Sequence, residues 1–291
     1  HVPRLRQARR FANGPFVQRL TPRIDRRQFR FNSMAISATF YYTVRAMCEQ
    51  GILPQGGALL ELGEANWYLQ VAEEVMADDI RRFVTDPSRR DQLLAQLSDV
   101  MSQRESTWVF DVAKIFYEIF FSPSSVQAVD FEGTTTAHRQ DLNQPITLDR
   151  RFNVVFNHGT AEHIFNIAQV FKTVHDYTLP GGLMIHESPF TGWIDHGFYS
   201  LQPTLFFDLA LVNRYAVVVM FVEDLSTMHL TQIHNRDMVA SLVRLGSLPA
   251  NSMLLTILRR GSDEPPFGLP IQGVYSGALS ASGMDAWRSL R

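Results

Sequence analysis

An α/β fold, with a mostly parallel sheet covered by helices on both faces, is predicted by three observations. Short apolar runs alternate along the chain with stretches that have apolar residues at helical spacing. Several of the runs, "FNVVFN" and "YAVVVMFVED" among them, are apolar on consecutive positions, as strands buried on both faces must be. The chain of 291 residues, 45% hydrophobic and 19% charged, is long enough to bury such a core without staples.

Each element follows in order. Residues 33–50 have helical spacing and stop at Gly51. "GGALLEL" reads as a first buried strand ending at Gly63. Residues 66–84 read as helix, as does 87–103, with Pro87 at its start. "TWVFDVAKIFYEIFF", residues 107–121, is a further helix, apolar nearly all round and so buried on several sides. From Ser125 short strands take over: "SVQAVD", "TAHRQ" and "FNVVFN". An amphipathic helix follows in "TAEHIFNIAQVFKTVHDYT", and "PGG" at 180–182 makes a sharp turn into the strand "LMIHESP". A helix over Pro203–Asn213, the strand "YAVVVMFVED", a helix over 235–246 and the strand "SMLLTILRR" complete the series. The tail from Gly261 is rich in Gly, Pro and Ser and reads as irregular or as an oligomer contact.

Composition excludes several classes. Cys48 is the single cysteine, so neither an internal disulfide framework nor a Cys-cluster zinc site can form. That usage fits a reducing setting, and the expected location is cytoplasmic. No apolar run reaches the ~18 residues of a membrane span. The net charge of -2 conceals nine arginines and one acid, Asp25, within residues 1–30. Such a segment reads as a solvated extension, as an arm that packs on a partner or substrate entrance, or as a nucleic-acid arm. The acidic remainder, without interleaved basic and aromatic residues, disfavours nucleic acid as a substrate.

In sheets of this kind ligands sit outside the carboxyl ends of the strands, near the switch point. That rule brings Gly63, Asp130, Asp141, Asn157 and His186 to the rim of one crevice. Read together, "ELG", "VDFEG", "RQDLN", "FNVVFNHGTAEHIFN" and "LPGGLMIHESP" resemble the class I S-adenosylmethionine-dependent methyltransferases, over about Ala58 to Arg260. The resemblance implies a Rossmann-like, seven-stranded, mostly parallel sheet with added N-terminal and inserted helices. It divides the chain into an Arg-rich extension at 1–32, a methyltransferase-like domain at 33–262 with a helical insertion at about 85–122, and the tail at 263–291.

The resemblance also implies roles. Glu61, Leu62 and Gly63 correspond to the first cofactor motif. Asp130 corresponds to the acid that grips the ribose hydroxyls of S-adenosylmethionine, with Glu132 as competitor. Asp141 and the Leu142 backbone correspond to the group that reads the adenine edge. Asn157, His158 and Gly159 correspond to the rim beneath the sulfonium; S-adenosylhomocysteine is the product. Two features depart from the family. Ala65 and Trp67 stand where further glycines are usual, and the long segment between Gly63 and Asp130 must hold extra helices.

Methyl transfer from a sulfonium needs in-line alignment and exclusion of water, and a base where the acceptor must lose a proton. His186 and His196 are the candidate bases, because imidazole titrates near neutrality. Trp193, Tyr199 and Gln202 are the candidate substrate contacts, and a small-molecule acceptor with an oxygen or nitrogen nucleophile is favoured over carbon. A metal site built from these histidines with Glu187 and Asp195 is the weaker rival, because no fixed ligand spacing such as HExxH is present, and no metal is expected. A cofactor-binding subunit without transferase activity is the alternative function. Self-association through the N-terminal arm or the C-terminal tail is the expected route to any oligomer.

Overall fold

The computed structural model describes residues 35–68, 71–263 and 265–290. The Arg-rich extension at 1–32 lies outside the described residues. The first elements are β1 (Ala35–Ile36), α1 (Ala38–Glu49), β2 (Ala58–Leu62), β3 (Asn66–Trp67), α2 (Glu73–Phe83), α3 (Pro87–Gln103) and α4 (Trp108–Phe121). They are followed by β4 (Ser125–Asp130), β5 (His138–Arg139), β6 (Phe152–His158), a 3-10 turn (Ala161–His163), α5 (Ile167–Tyr177) and β7 (Thr178–Thr191). The chain closes with α6 (Pro203–Asn213), β8 (Ala216–Asp224), β9 (His229–Gln232), α7 (Arg236–Arg244), β10 (Ser252–Arg259), α8 (Gly273–Ser276) and α9 (Ala281–Ser289).

The main sheet has eight strands in the order β5-β4-β2-β6-β7-β10-β8-β9. The pairs from β5 through β7 are parallel, whereas β10 runs antiparallel to both β7 and β8, and β9 folds back on β8. The expected Rossmann-like, mostly parallel sheet is therefore present, with one strand more than the seven expected. The extra strand is β9, whose "HLTQ" is too short and polar to read as buried.

Two apolar layers sandwich the sheet. On one face Leu59, Val154, Phe156, Leu183, Ile185 and Phe221 meet α1, α2, α3 and α4. On the other, Leu60, Leu62, Val155, Met184 and Met220 meet α5 and α6. Helix α4 is nearly all apolar because it is buried by the sheet and by α1 together; Phe116 packs against Phe40, Tyr41 and Phe120 with ring centroids 5.7, 5.7 and 5.3 Å apart. Asp86 caps α3, accepting the Arg89 N–H at 2.7 Å, and Pro87 fills the first turn where no donor is needed.

Four local readings change. Residues 66–84 are not one helix: Asn66 and Trp67 pair with Ala35 and Ile36 as a two-stranded ribbon before α2 begins. The helix expected after β6 is broken, with the 3-10 turn separated from α5. The tail is not wholly irregular, because α9, capped by Ser280, packs against α7. "PGG" is not a turn leading into the strand but lies within β7, where Gly181 adopts φ +76°.

Candidate functional site

Parallel register lines up the strand tips. Val129, Leu62, Asn157 and His186 form one row across the sheet, and the next row carries Asp130, His158 and Glu187. Asp130 pairs with Arg139, two residues before Asp141, so Gly63, Asp130 and Asp141 share the carboxyl edge of the sheet.

The turn out of β2 is built by Gly63 at φ +79°, whose N–H donates to Val129 O at 2.8 Å. That turn points the Glu64 N–H at the Asp130 carboxylate, 2.7 Å away, while the other Asp130 oxygen accepts the Glu132 N–H at 2.8 Å. Each oxygen retains accepting capacity, so the carboxylate can still take a hydroxyl. The loop after Asp130 folds back over the turn: buried Glu64 accepts from Thr134 N at 2.7 Å and from its hydroxyl at 3.1 Å. A Cβ at Gly133 would lie 2.8 Å from Asp130 and 3.0 Å from Glu64, so this closure requires glycine. Phe131, 73% exposed beside Asp130, leaves an aromatic face on the lip. Asp141 is exposed and is held below the usual carboxylate range by the N–H and side chain of Asn143; Leu142 is buried in the core.

Glu61 is fully buried and faces α4. Lys114 Nζ lies 2.6 Å from one of its oxygens, Tyr117 donates to the other at 2.7 Å, and Ala65 N–H reaches it at 3.3 Å. Burial pushes its pKa up and Lys114 and Tyr117 oppose this. Helix α4 thus holds the carboxyl end of β2 through Lys114 and Tyr117. Trp67, in place of a family glycine, is buried beside Tyr41 with centroids 5.8 Å apart; its ring turns into the core.

Adjacent residues of β6 part company. Asn157 faces the α5 side, where its amide meets His186 Nδ1 at 3.1 Å and its carbonyl accepts the Ala161 N–H at 3.0 Å. His186 is buried between Phe171 and Phe206, and burial pushes its pKa down to about 3. His186, expected as a candidate base, has its ring turned by alternation along β7 into the second apolar layer. His158 faces the opposite side, edge-on to Phe40 at 4.2 Å, with neither ring nitrogen hydrogen-bonded among the described residues. Burial pushes its pKa down to about 3 as well. Gly159, at φ +62°, donates to Glu187 O at 2.8 Å.

On the His158 side lie two carboxylates that end apolar strands. Glu187 accepts from Ser37, the N-cap of α1, at 3.4 Å, and Glu223 accepts from Thr39. Burial pushes Glu187 up to about 8, reinforced by Glu223 and Glu162 nearby, and Glu223 up to about 7. Tyr68, raised to about 12 by burial and by Glu187, borders the same space. The first turn of α1 places its partial positive charge over these acids. Each acid follows an apolar run, in "MIHESP" and "MFVED", and a carboxylate so close behind a buried strand is the signal by which they could be found from sequence.

At the rim, the 3-10 turn and the loop after β7 are joined. The carbonyl of Glu162 accepts N–H groups of Phe198 at 2.8 Å and Tyr199 at 3.2 Å. The rings of His163 and His196 are 4.9 Å apart, and Trp193 lies tilted against His196 at 4.7 Å. Burial pushes Glu162 up to about 8. Trp193 Nε1 donates to Ser252 O at 2.9 Å and the Tyr199 hydroxyl to Phe165 O at 2.8 Å, which fixes both rings. Gln202 is exposed at the N-cap of α6.

No family model matches the chain, and no curated protein matches it. Solved structures similar to it include a putative sarcosine dimethylglycine methyltransferase from Galdieria sulphuraria, with TM-score 0.42 and 11% identity, over 77% of this chain and 84% of that one. The N-methyltransferase NodS from Bradyrhizobium japonicum, in complex with S-adenosylhomocysteine, has TM-score 0.39 and 8% identity, over 76% and 85%. The cyclase SpnF has TM-score 0.41 and 9% identity, over 77% and 82%. At TM-scores below 0.5 these likenesses establish neither family nor activity.

Proposed function

We propose that the chain binds S-adenosylmethionine along the carboxyl edge of β2, β4 and β6 and transfers its methyl group to a small-molecule acceptor. The observation that carries this reading is the junction of Gly63 with Asp130. A glycine turn and a carboxylate with free accepting capacity meet at the centre of a parallel sheet, where a ribose can lie against bare backbone. Exposed Phe131 beside them offers a face to the adenine ring, and Asp141 with the Leu142 N–H offers polar partners to its edge.

The cofactor supplies the electrophilic methyl when bound. The residues of this chain then have three tasks. Gly63 and Asp130 hold the sugar. Asn157, itself fixed by His186 and Ala161 N–H, sets the course of the rim at Gly159. The Glu162–His163–His196 cluster is the part of the rim able to receive a proton, and His196 is the base favoured for an oxygen or nitrogen acceptor. His186 is a positioning residue. Trp193 and Tyr199 wall the acceptor side, with Gln202 at its edge.

A second reading, a cofactor-binding subunit without transferase activity, is favoured by one feature: the loop at 131–137 already lies on Glu64 and Asp130 through Thr134 and Gly133. Calorimetry with S-adenosylmethionine, S-adenosylhomocysteine and NAD(H) tests the cofactor. Incubation of the protein with methyl-labelled cofactor and small-molecule extracts tests transfer. Binding of NAD(H) alone would overturn both readings; tight binding of S-adenosylhomocysteine with no labelled product would leave the second.

A further inference from the structure

We propose that Glu162, His163 and His196 form a binding site for a borderline divalent cation of the zinc class. One ligand atom from each of the three residues lies within 4.8 Å of the other two. Two imidazoles and one carboxylate are the donor set that zinc, cobalt(II) and iron(II) accept, with further positions left for solvent or substrate. Donors on one tetrahedral zinc ion are about 3.4 Å apart, given bonds of about 2.1 Å, so side-chain rotation of roughly an ångström completes the set.

The carboxylate is the observation that points to a ligand. Glu162 is 1% exposed, and neither of its oxygens has a hydrogen-bond partner on another residue among the described residues. A buried carboxylate without donors is costly in its charged form: it takes up a proton, or a paired or coordinated cation compensates it. The backbone around the cluster is built for close approach. Gly197 sits where a Cβ would lie 2.9 Å from Glu162 O and 3.2 Å from His163 Nδ1. Asp195, next to His196, adopts φ +61°, a left-handed turn conformation that Asp tolerates better than most residues. The Phe198 and Tyr199 amides then bind the loop to the Glu162 carbonyl. Two segments far apart in sequence are thus held together where three ligands converge.

Bound there, the cation would stand at the rim and take the lone pair of His196, so that in the metal-bound chain polarisation of the acceptor replaces His196 as the base. An acceptor oxygen or nitrogen taking an open position would be polarised by the metal, and its proton would leave to solvent. Metal binding itself does not depend on the cofactor reading.

The test uses the full chain after chelator treatment, titrated with zinc chloride by calorimetry and with cobalt(II) by visible absorption. One zinc per chain is expected, together with the visible bands of a cobalt site containing nitrogen ligands. His163→Ala, His196→Ala and Glu162→Gln should each weaken binding by on the order of tenfold or more. His229→Ala, at an exposed histidine away from the cluster, should leave it unchanged, and magnesium should not compete, because it prefers an all-oxygen shell. Absence of stoichiometric binding, or zinc affinity unaltered in both histidine variants, would overturn the proposal. Because His163 and His196 are on surface segments, their variants keep the test valid should Glu162→Gln fail to fold. Affinity for S-adenosylhomocysteine, measured on the same samples, reports separately on the cofactor reading.

Discussion

The Asp130 carboxylate accepts the backbone N–H of Glu64 at 2.7 Å, which couples the tip of β4 to the glycine turn that leaves β2. Asp130→Ala should therefore weaken S-adenosylhomocysteine binding by roughly tenfold or more, because a charge-assisted partner of about 1.5–3 kcal/mol is lost. Isothermal calorimetry reads the change. An unaltered dissociation constant would move the ribose contact to Glu132.

Lys114 is the counter-charge to a fully buried Glu61. Lys114→Ala strands that carboxylate and should cost about 2–4 kcal/mol, below the full penalty of a buried pair because the lysine is partly exposed. Denaturant unfolding measures the loss, and Lys114→Ala combined with Glu61→Gln should recover part of it. Equal destabilisation in the single and double variants would show that the pair is not coupled.

Trp67 stands where the family places a glycine, yet its indole is in the core. Trp67→Ala should lower stability by about 3–5 kcal/mol while the folded fraction keeps its affinity for S-adenosylhomocysteine. Loss of affinity at intact stability would put the ring in the cofactor site instead.

Stability should fall between pH 6.5 and 8. Glu187 and Glu223, raised by burial to about 8 and about 7 from a usual 4.5, stay protonated in the folded chain after the unfolded chain has released its protons. Their contribution is complete below about pH 4.5 and is lost as pH rises through their folded values. His158 and His186, lowered to about 3 from 6.5, act in the opposite sense: they favour the folded chain above pH 6.5, and that stability is lost as pH falls toward 3. The two sets oppose one another from 4.5 to 6.5. Melting temperatures of the metal-free protein at pH 6.5 and pH 8 test the decline, which Glu187→Gln should reduce.

The two histidines first paired as bases should separate. His186→Ala removes a buried ring held by Phe171, Phe206 and Asn157, and should lower the melting temperature together with any turnover. His196→Ala should leave the melting temperature nearly unchanged and lower turnover by on the order of 10²-fold or more. A stable, slow His186 variant beside a fully active His196 variant would reverse the assignment.

The fold was legible because strands buried on both faces must be apolar on consecutive positions, as Val154, Val155 and Phe156 are. The strand tips were legible for the same reason: Gly63, Asp130 and Asn157 are where such runs end. What could not be read was facing. Asn157 and His158 must serve opposite layers by alternation, but which layer each enters follows only from the helices that pack on the two faces. The union of Glu162 and His163 with His196 was equally hidden, since it depends on a loop carbonyl meeting two amides more than thirty residues away. Trp67 was ambiguous because no local pattern tells an indole to leave a crevice; its partner Tyr41 comes from a helix that precedes the sheet.

The segment from 63 to 124, carrying α2, α3 and α4, separates two strands that lie side by side. Closing so long a crossover costs little more free energy than closing a short one, about 0.6 kcal/mol per doubling of its length. Its effect falls on kinetics, because pairing at such sequence separation slows the search for the native topology. Helices α2 to α4 touch one another and can collapse locally first, so they would deliver β4 to β2 as a unit. The centre of the sheet would then be the last part to close, and amide exchange during refolding should find β2 protected after the helices that interrupt its partner.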